Sequence, residues 1–336
     1  MPAGYLALIL HAHLPFVRHP EHEEFLEEDW LFEAITESYI PLIRMMQRLR
    51  RDGVSFQLTM SVTPPLCAML QDELLQTRYL RHLDRSIALA RREVERNRGH
   101  PELESLARFY FELLSETHRH YEKWNRDLLA RLRELRDAGV LEIIASAATH
   151  GLLPLLAPSP GAVRAQILIG CDVYCEVFGA DPAGFWLPEC AYAPGLENIL
   201  QEANVRWFVL DAHGLILGNP RPRSAIYAPC FTPAGPAVFA RDPESSRQIW
   251  SALSGYPGDP VYREFYRDVG FDLPAEAAFP DSRTKTPRFT GLKYYRITGK
   301  GDAKEVYNRT LAENAARAHA DHFLQSRRRQ VDQLVR

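Results

Sequence analysis

Apolar residues gather at five places along this chain in short, nearly continuous runs. "YLALIL" (5–10), "VSFQLTM" (54–60), "LEIIASA" (141–147), "GFWLPE" (184–189) and "RWFVLD" (206–211) each carry a polar or charged residue at or just past the end. Runs of this length and continuity predict parallel strands covered on both faces. The segments between them repeat their apolar residues every three or four positions, the helical period. Alternation of the two patterns predicts an α/β fold, either a βα barrel or a doubly wound sheet. Residues 64–138 are helical almost throughout and are expected as an insertion on that sheet, with "LARFYFELLSETHRHYEKWNRDLLARLRELRDAG" forming one long amphipathic helix stopped by Gly139. From 218 to 300 the chain turns rich in Pro, Gly and aromatics, which predicts long ordered loops covering one face of a single domain over 1–336.

Composition adds bounds. The 336 residues, 46% of them apolar, are enough to bury a sizeable core. A formal net charge of −3 gives no basic field for nucleic acid, and the locally basic stretches 85–98 and 327–329 read as solvated helix faces. No apolar run approaches the roughly 20 residues of a membrane helix, and the first strand begins without a charged leader, so a cytoplasmic location is expected. Five cysteines without C-x-x-C spacing suggest packed thiols, including Cys171 and Cys175 one helical turn apart.

The strand ends hold the candidate chemistry. His11 and His13 follow the first run two residues apart, and side chains at that spacing leave a strand on the same side. The third run leads to His150 in "AATHGLLP", the fourth ends at Glu189 in "WLPEC", and the fifth gives Asp211 and His213. Parallel strands would bring all of these to one carboxyl-end rim. Two chemistries fit the set. In one, His11, His13, His150, His213 and Asp211 ligate Zn²⁺ or a similar ion in a metal-dependent hydrolase. In the other, Glu189 acts on a sugar while histidines and aromatics hold its hydroxyls and rings. Glu189, set between Trp186, Pro188 and Tyr192, bears a charge that must be used or paired. Trp186 is either core or site, Trp124 is expected as core, and His118, His120, His319 and His322 receive no role.

"HAHLPF", "AATHGLLP", "GFWLPECAYAPG" and "RDPESSRQIWSALSGYPGDPVYREFYRDVGFD" together resemble glycoside hydrolase family 57, most of all its α-1,4-glucan branching enzymes, over essentially the whole chain. The resemblance implies a distorted, TIM-like (β/α)7 barrel, a retaining double displacement, no catalytic metal and no cofactor. It implies Glu189 as nucleophile. His11, His13, His150, Trp186 and Asp211 would be substrate-binding residues, Trp30, Trp250, Tyr256 and Phe271 stacking platforms, and Arg247 and Arg267 polar partners of α-glucan in glycogen biosynthesis. α-Amylase or 4-α-glucanotransferase activity is the alternative within the family.

One departure stands out. The family's acid/base aspartate lies in a segment resembling D-A-E-L-F-G-H-W-W, and this chain ends at "RRRQVDQLVR" with no such segment. A retaining mechanism needs two carboxyl groups about 5 Å apart. The expectation is therefore a barrel lacking its last strand and the carboxyl-terminal helical domain, inactive unless Asp211, Asp242 or Asp268 supplies the proton.

Overall fold

The computed structural model describes residues 4–280, 286–299, 301 and 303–335. The chain forms two compact units, one of Ala7–Gln76 with Trp124–Pro243, the other of Met1–Leu6, Thr77–Lys123 and Glu244–Arg336.

The first unit is built on seven strands: β1 (Ile9–Ala12), β2 (Leu58–Val62), β3 (Leu141–Ser146), β4 (Gly184–Trp186), β5 (Trp207–Asp211), β6 (Cys230–Phe231) and β7 (Ala237–Arg241). They lie in the order β1-β2-β3-β4-β5-β7-β6. Every neighbouring pair is parallel except β6 with β7. Five strands were expected. β6 and β7 fall in the stretch read as loops: β6 has two residues, and β7 buries only Val238 among its five, so neither makes a continuous buried run among Pro and Gly.

The first two strands begin later than their apolar runs. Pairing sets Ile9 against Thr59 and Ala12 against Val62, so the ladder covers the His end of one run and the Ser end of the next. Tyr5 and Leu6, upstream of it, belong to the second unit, where Gly4 packs against Val331. β3 shows the both-sided burial that its apolar run predicts, with only Glu142 exposed.

Helix Pro160–Phe178 lies over β3. Its start carries Pro at the first turn, and its end closes on Gly179 at φ 70°, whose N–H donates to Cys175 O at 2.8 Å. Tyr174 Oη donates to Ile143 O at 2.9 Å across this interface.

The expected long helix over 106–139 is two helices, Pro101–Lys123 and Leu128–Asp137. Asn125 and Arg126 take φ 53° and 63°, which breaks the ladder, and Asp127 accepts from Ala130 N–H at 2.7 Å to start the second helix. Trp124 at this break is buried, as expected of a core residue.

The break coincides with the boundary between the units. Helices within 77–123 were read as an insertion on one domain, yet they form a unit with residues from 244 onward. Tyr110 Oη donates to Lys293 O at 2.8 Å, and Tyr294 Oη donates to Glu93 Oε2 at 3.2 Å. Such partners lie nearly two hundred residues apart in sequence, so periodicity alone does not reveal them.

Candidate active site

β1 and β2 face each other as two alternating polar rows. His11 is paired in register with Ser61, and its Nδ1 lies 3.3 Å from Ser61 Oγ. Two residues on, His13 Nδ1 lies 3.1 Å from Thr63 Oγ1. The strand period therefore sends both imidazoles to one side and gives each a buried hydroxyl. From β3, Ser146 Oγ meets His150 Nδ1 at 3.3 Å and donates to Trp186 O on β4 at 2.9 Å.

The rings make a continuous stacked wall. His11 stacks on Trp186 at 4.7 Å and on His150 at 5.0 Å, and His13 stacks on His150 at 3.8 Å. Beside the wall, Glu189 places Oε1 3.7 Å from His150 Nε2 with its side chain 76% exposed. Glu189 sits on the tight turn Pro188–Cys190 at φ 54°, ψ 21°, and His150 has φ 56°, both in the left-handed region that non-glycine residues avoid. Glu189 and the neighbouring His150 are thus both held by their turns in costly backbone conformations.

Burial keeps the wall uncharged. Desolvation, followed by the charges of His150 and His13, lowers the His11 pKa to about 3. Desolvation and then His13 lower His150 to about 4. His13 is also pushed down by burial, against an upward pull from Glu189. His11 Nε2, His150 Nε2 and Trp186 Nε1 are buried and make no hydrogen bond within the protein. Buried polar atoms without partners are costly, and three of them lie along one wall.

The geometry lends the metal-hydrolase reading no support. The imidazoles lie face to face, with Nδ1 of His11 and His13 directed at hydroxyls, and among the described residues no group of three or more His, Cys, Asp or Glu is placed to hold an ion. Asp211 fails as a replacement acid. Burial raises its pKa, but the Arg241 hydrogen bond at 2.6 Å and the guanidinium charge outweigh that and hold the carboxyl below its ordinary range. Its other neighbour is His213 Nδ1 at 3.6 Å. Asp268 is structural. It accepts from Gly270 N–H, Thr290 N–H, Thr290 Oγ1 and Gly291 N–H at 2.6–3.0 Å, so its lone pairs tie together the loop around 290. Asp242 directly follows β7.

Other expected site residues lie outside the wall. Trp30 stands half-exposed on helix Glu28–Ala34 of the first unit. Arg247, Trp250, Tyr256, Arg267 and Phe271 belong to the second unit. There Trp250 is exposed, Tyr256 Oη meets His322 Nδ1 at 2.8 Å, Phe271 packs edge-on to Phe289, and Arg267 is paired with Asp272 at 2.7 Å beneath the Tyr295 ring. Ser61, Thr63, Ser146 and Arg241 were missed. The first two had a signal in "SVT", whose period of two mirrors the H-x-H pair.

A parallel sheet whose carboxyl-end rim gathers stacked rings and an open carboxylate defines an α/β enzyme of barrel type. The chain belongs to glycosyl hydrolase family 57, whose family model matches residues 7–271. A 1,4-alpha-glucan branching enzyme of Thermococcus kodakarensis is 35% identical over 96% of this chain, which spans 48% of that relative's length. The alpha-amylase AmyC of Thermotoga maritima superposes with a TM-score of 0.94 at 44% identity, covering 98% of this chain and 64% of AmyC. A GH57-type branching enzyme of Pyrococcus horikoshii superposes with a TM-score of 0.82 at 34% identity, covering 96% and 59%. These neighbours support the α/β fold of (β/α)7 type.

Proposed function

We propose that this chain carries the donor site of an α-glucan branching enzyme, with Glu189 as nucleophile. The observation that carries the reading is the ring wall of His11, His13, His150 and Trp186 beside the open carboxylate of Glu189. A Glu189 oxygen attacks the anomeric carbon of an α-1,4-linked glucose, the C1–O4 bond breaks, and a β-glucosyl ester forms. The leaving O4 needs a proton, which Asp211, held ionised by Arg241, does not supply; in this reading it comes from the acid/base aspartate of the family, whose segment is not found in this sequence. A 6-hydroxyl of an acceptor glucan then opens the ester, forming C1–O6 and releasing its proton to a base. Trp30, exposed on the unit that carries the wall, is proposed as an outer stacking platform. The product is a branched, glycogen-like glucan, and the cytoplasm is the proposed setting. Nucleic acid is not expected as a partner, since neither the charge nor the wall suits it. No helix among the described residues is long and apolar enough to cross a membrane.

Hydrolysis is the second reading, favoured by the 44% identity to AmyC. In that case water opens the ester. Incubation with amylose, followed by iodine staining, debranching and reducing-end assay, separates the two. New α-1,6 branches support transfer, new reducing ends without branches support hydrolysis, and neither product means that this chain alone does not complete the first step.

A further inference from the structure

Ser146 ends β3 with its side chain fully buried, and its oxygen has two neighbours. Trp186 O lies 2.9 Å away and His150 Nδ1 3.3 Å away. A hydroxyl has one proton to give. The Trp186 carbonyl can only accept, and two oxygens at that separation with no hydrogen between them would repel, so the serine proton lies in the shorter contact. Ser146 then turns a lone pair towards the imidazole, and Nδ1 must carry hydrogen. We infer that Ser146 is a positioning residue that fixes neutral His150 as its Nδ1–H tautomer and so presents Nε2 to the site as a hydrogen-bond acceptor.

The direction of that bond matters because of what Nε2 faces. It is buried, makes no hydrogen bond within the protein and lies 3.7 Å from Glu189 Oε1. An Nε2–H would point a donor at the carboxylate and draw off the electron density needed for attack. A bare Nε2 leaves Oε1 free. Burial also keeps His150 neutral, with its pKa lowered to about 4, so the tautomer is the form present at neutral pH. The consequence for Glu189 rests on the proposed nucleophile, whereas the tautomer rests on the Ser146 contacts alone.

The test is long-range ¹H–¹⁵N correlation of the imidazoles in protein labelled at histidine, at pH 7. The His150 signals are assigned by their loss in His150→Gln. Wild-type His150 is expected to show a pyrrole-type Nδ1 and a pyridine-type Nε2, and the reverse pattern overturns the inference without any variant. In Ser146→Ala the pyrrole-type signal is expected to move to Nε2 while His11 and His13 keep their patterns, and Ser146→Thr is expected to retain the wild-type pattern. An unchanged His150 in Ser146→Ala would show that the serine does not set the tautomer. These spectra need no turnover, so they read the same whether or not the chain acts on glucan.

Discussion

Glu189 holds its carboxylate on a backbone that glycine would adopt more cheaply, at φ 54°, while exposing most of its side chain. A left-handed conformation costs a non-glycine residue about 1–2 kcal/mol, and an exposed side chain loses little packing when removed. Glu189→Gly is therefore expected to raise stability by about 0.5–1 kcal/mol, after allowing for glycine's greater freedom when unfolded. Glu189→Gln keeps the strain and should leave stability unchanged. Where the parent shows activity on amylose, both variants should lower it by about 10³-fold or more, since no other group on the wall can form the ester. Urea unfolding of the three proteins checks the stability half, and a destabilised glycine variant would mean that the turn is held by side-chain contacts instead. Sequence singles out this residue by its charge among Trp186, Pro188 and Tyr192, although the side chain is exposed and pays little desolvation. It could not find the strain, which depends on the turn following β4.

At the scale of elements, the helix Pro160–Phe178 meets β3 through Gly170. A Cβ added there would lie 2.2 Å from Ser146 O and 3.2 Å from Ala148 N, both of them backbone atoms that cannot swing away. Gly170→Ala gains helix propensity, yet the clash decides the sign, and a loss of about 1–3 kcal/mol in chemical denaturation is expected. A neutral or stabilising result would show that helix and strand separate easily at this contact. The same element shows what was legible. Its Pro start and Gly stop are written in the sequence, and the strand beneath it was read almost to the residue, because both-sided burial leaves a nearly continuous apolar run, broken only by Glu142 before Ser146. β1 and β2 were placed several residues early, since an apolar run shows where burial is possible while the ladder depends on which partner pairs with it. Asn125 and Arg126 were invisible as a helix break because arginine carries no signal for a left-handed turn. The helices at 77–123 looked like an insertion because their partners around 293 lie in a stretch whose Pro and Gly content reads only as loop.

Over the whole molecule, the ring wall couples the site to acid stability. His11 and His150 have native pKa values of about 3 and about 4, against 6.5 in the unfolded chain. Below pH 6.5 the unfolded chain binds protons that the native wall refuses, so stability falls as pH falls. The loss continues until the native rings themselves protonate, near pH 4 for His150 and pH 3 for His11. Above pH 6.5 neither form is charged and the contribution is flat. Each histidine is expected to cost about 1.5 kcal/mol between pH 6.5 and pH 5. Carboxylates held low by a cation, such as Asp211 beside Arg241, are shifted in the same direction and also lose stability as pH falls, but only at and below the ordinary carboxylate range, under the window of the histidines. Unfolding in urea at pH 6.5, 5.75 and 5 follows this loss. Buried His82, its pKa also lowered to about 4, adds the same slope, while Asp268 and Asp272, raised by burial, act in the opposite sense near the lower end. A variant separates the His11 share. His11→Gln should flatten the slope by roughly half of the two-histidine total, because glutamine keeps a polar tip near Ser61 but takes up no proton. An unchanged slope would mean that the native His11 is protonated over this range, and the stacked wall would then be a cationic surface suited to a different ligand.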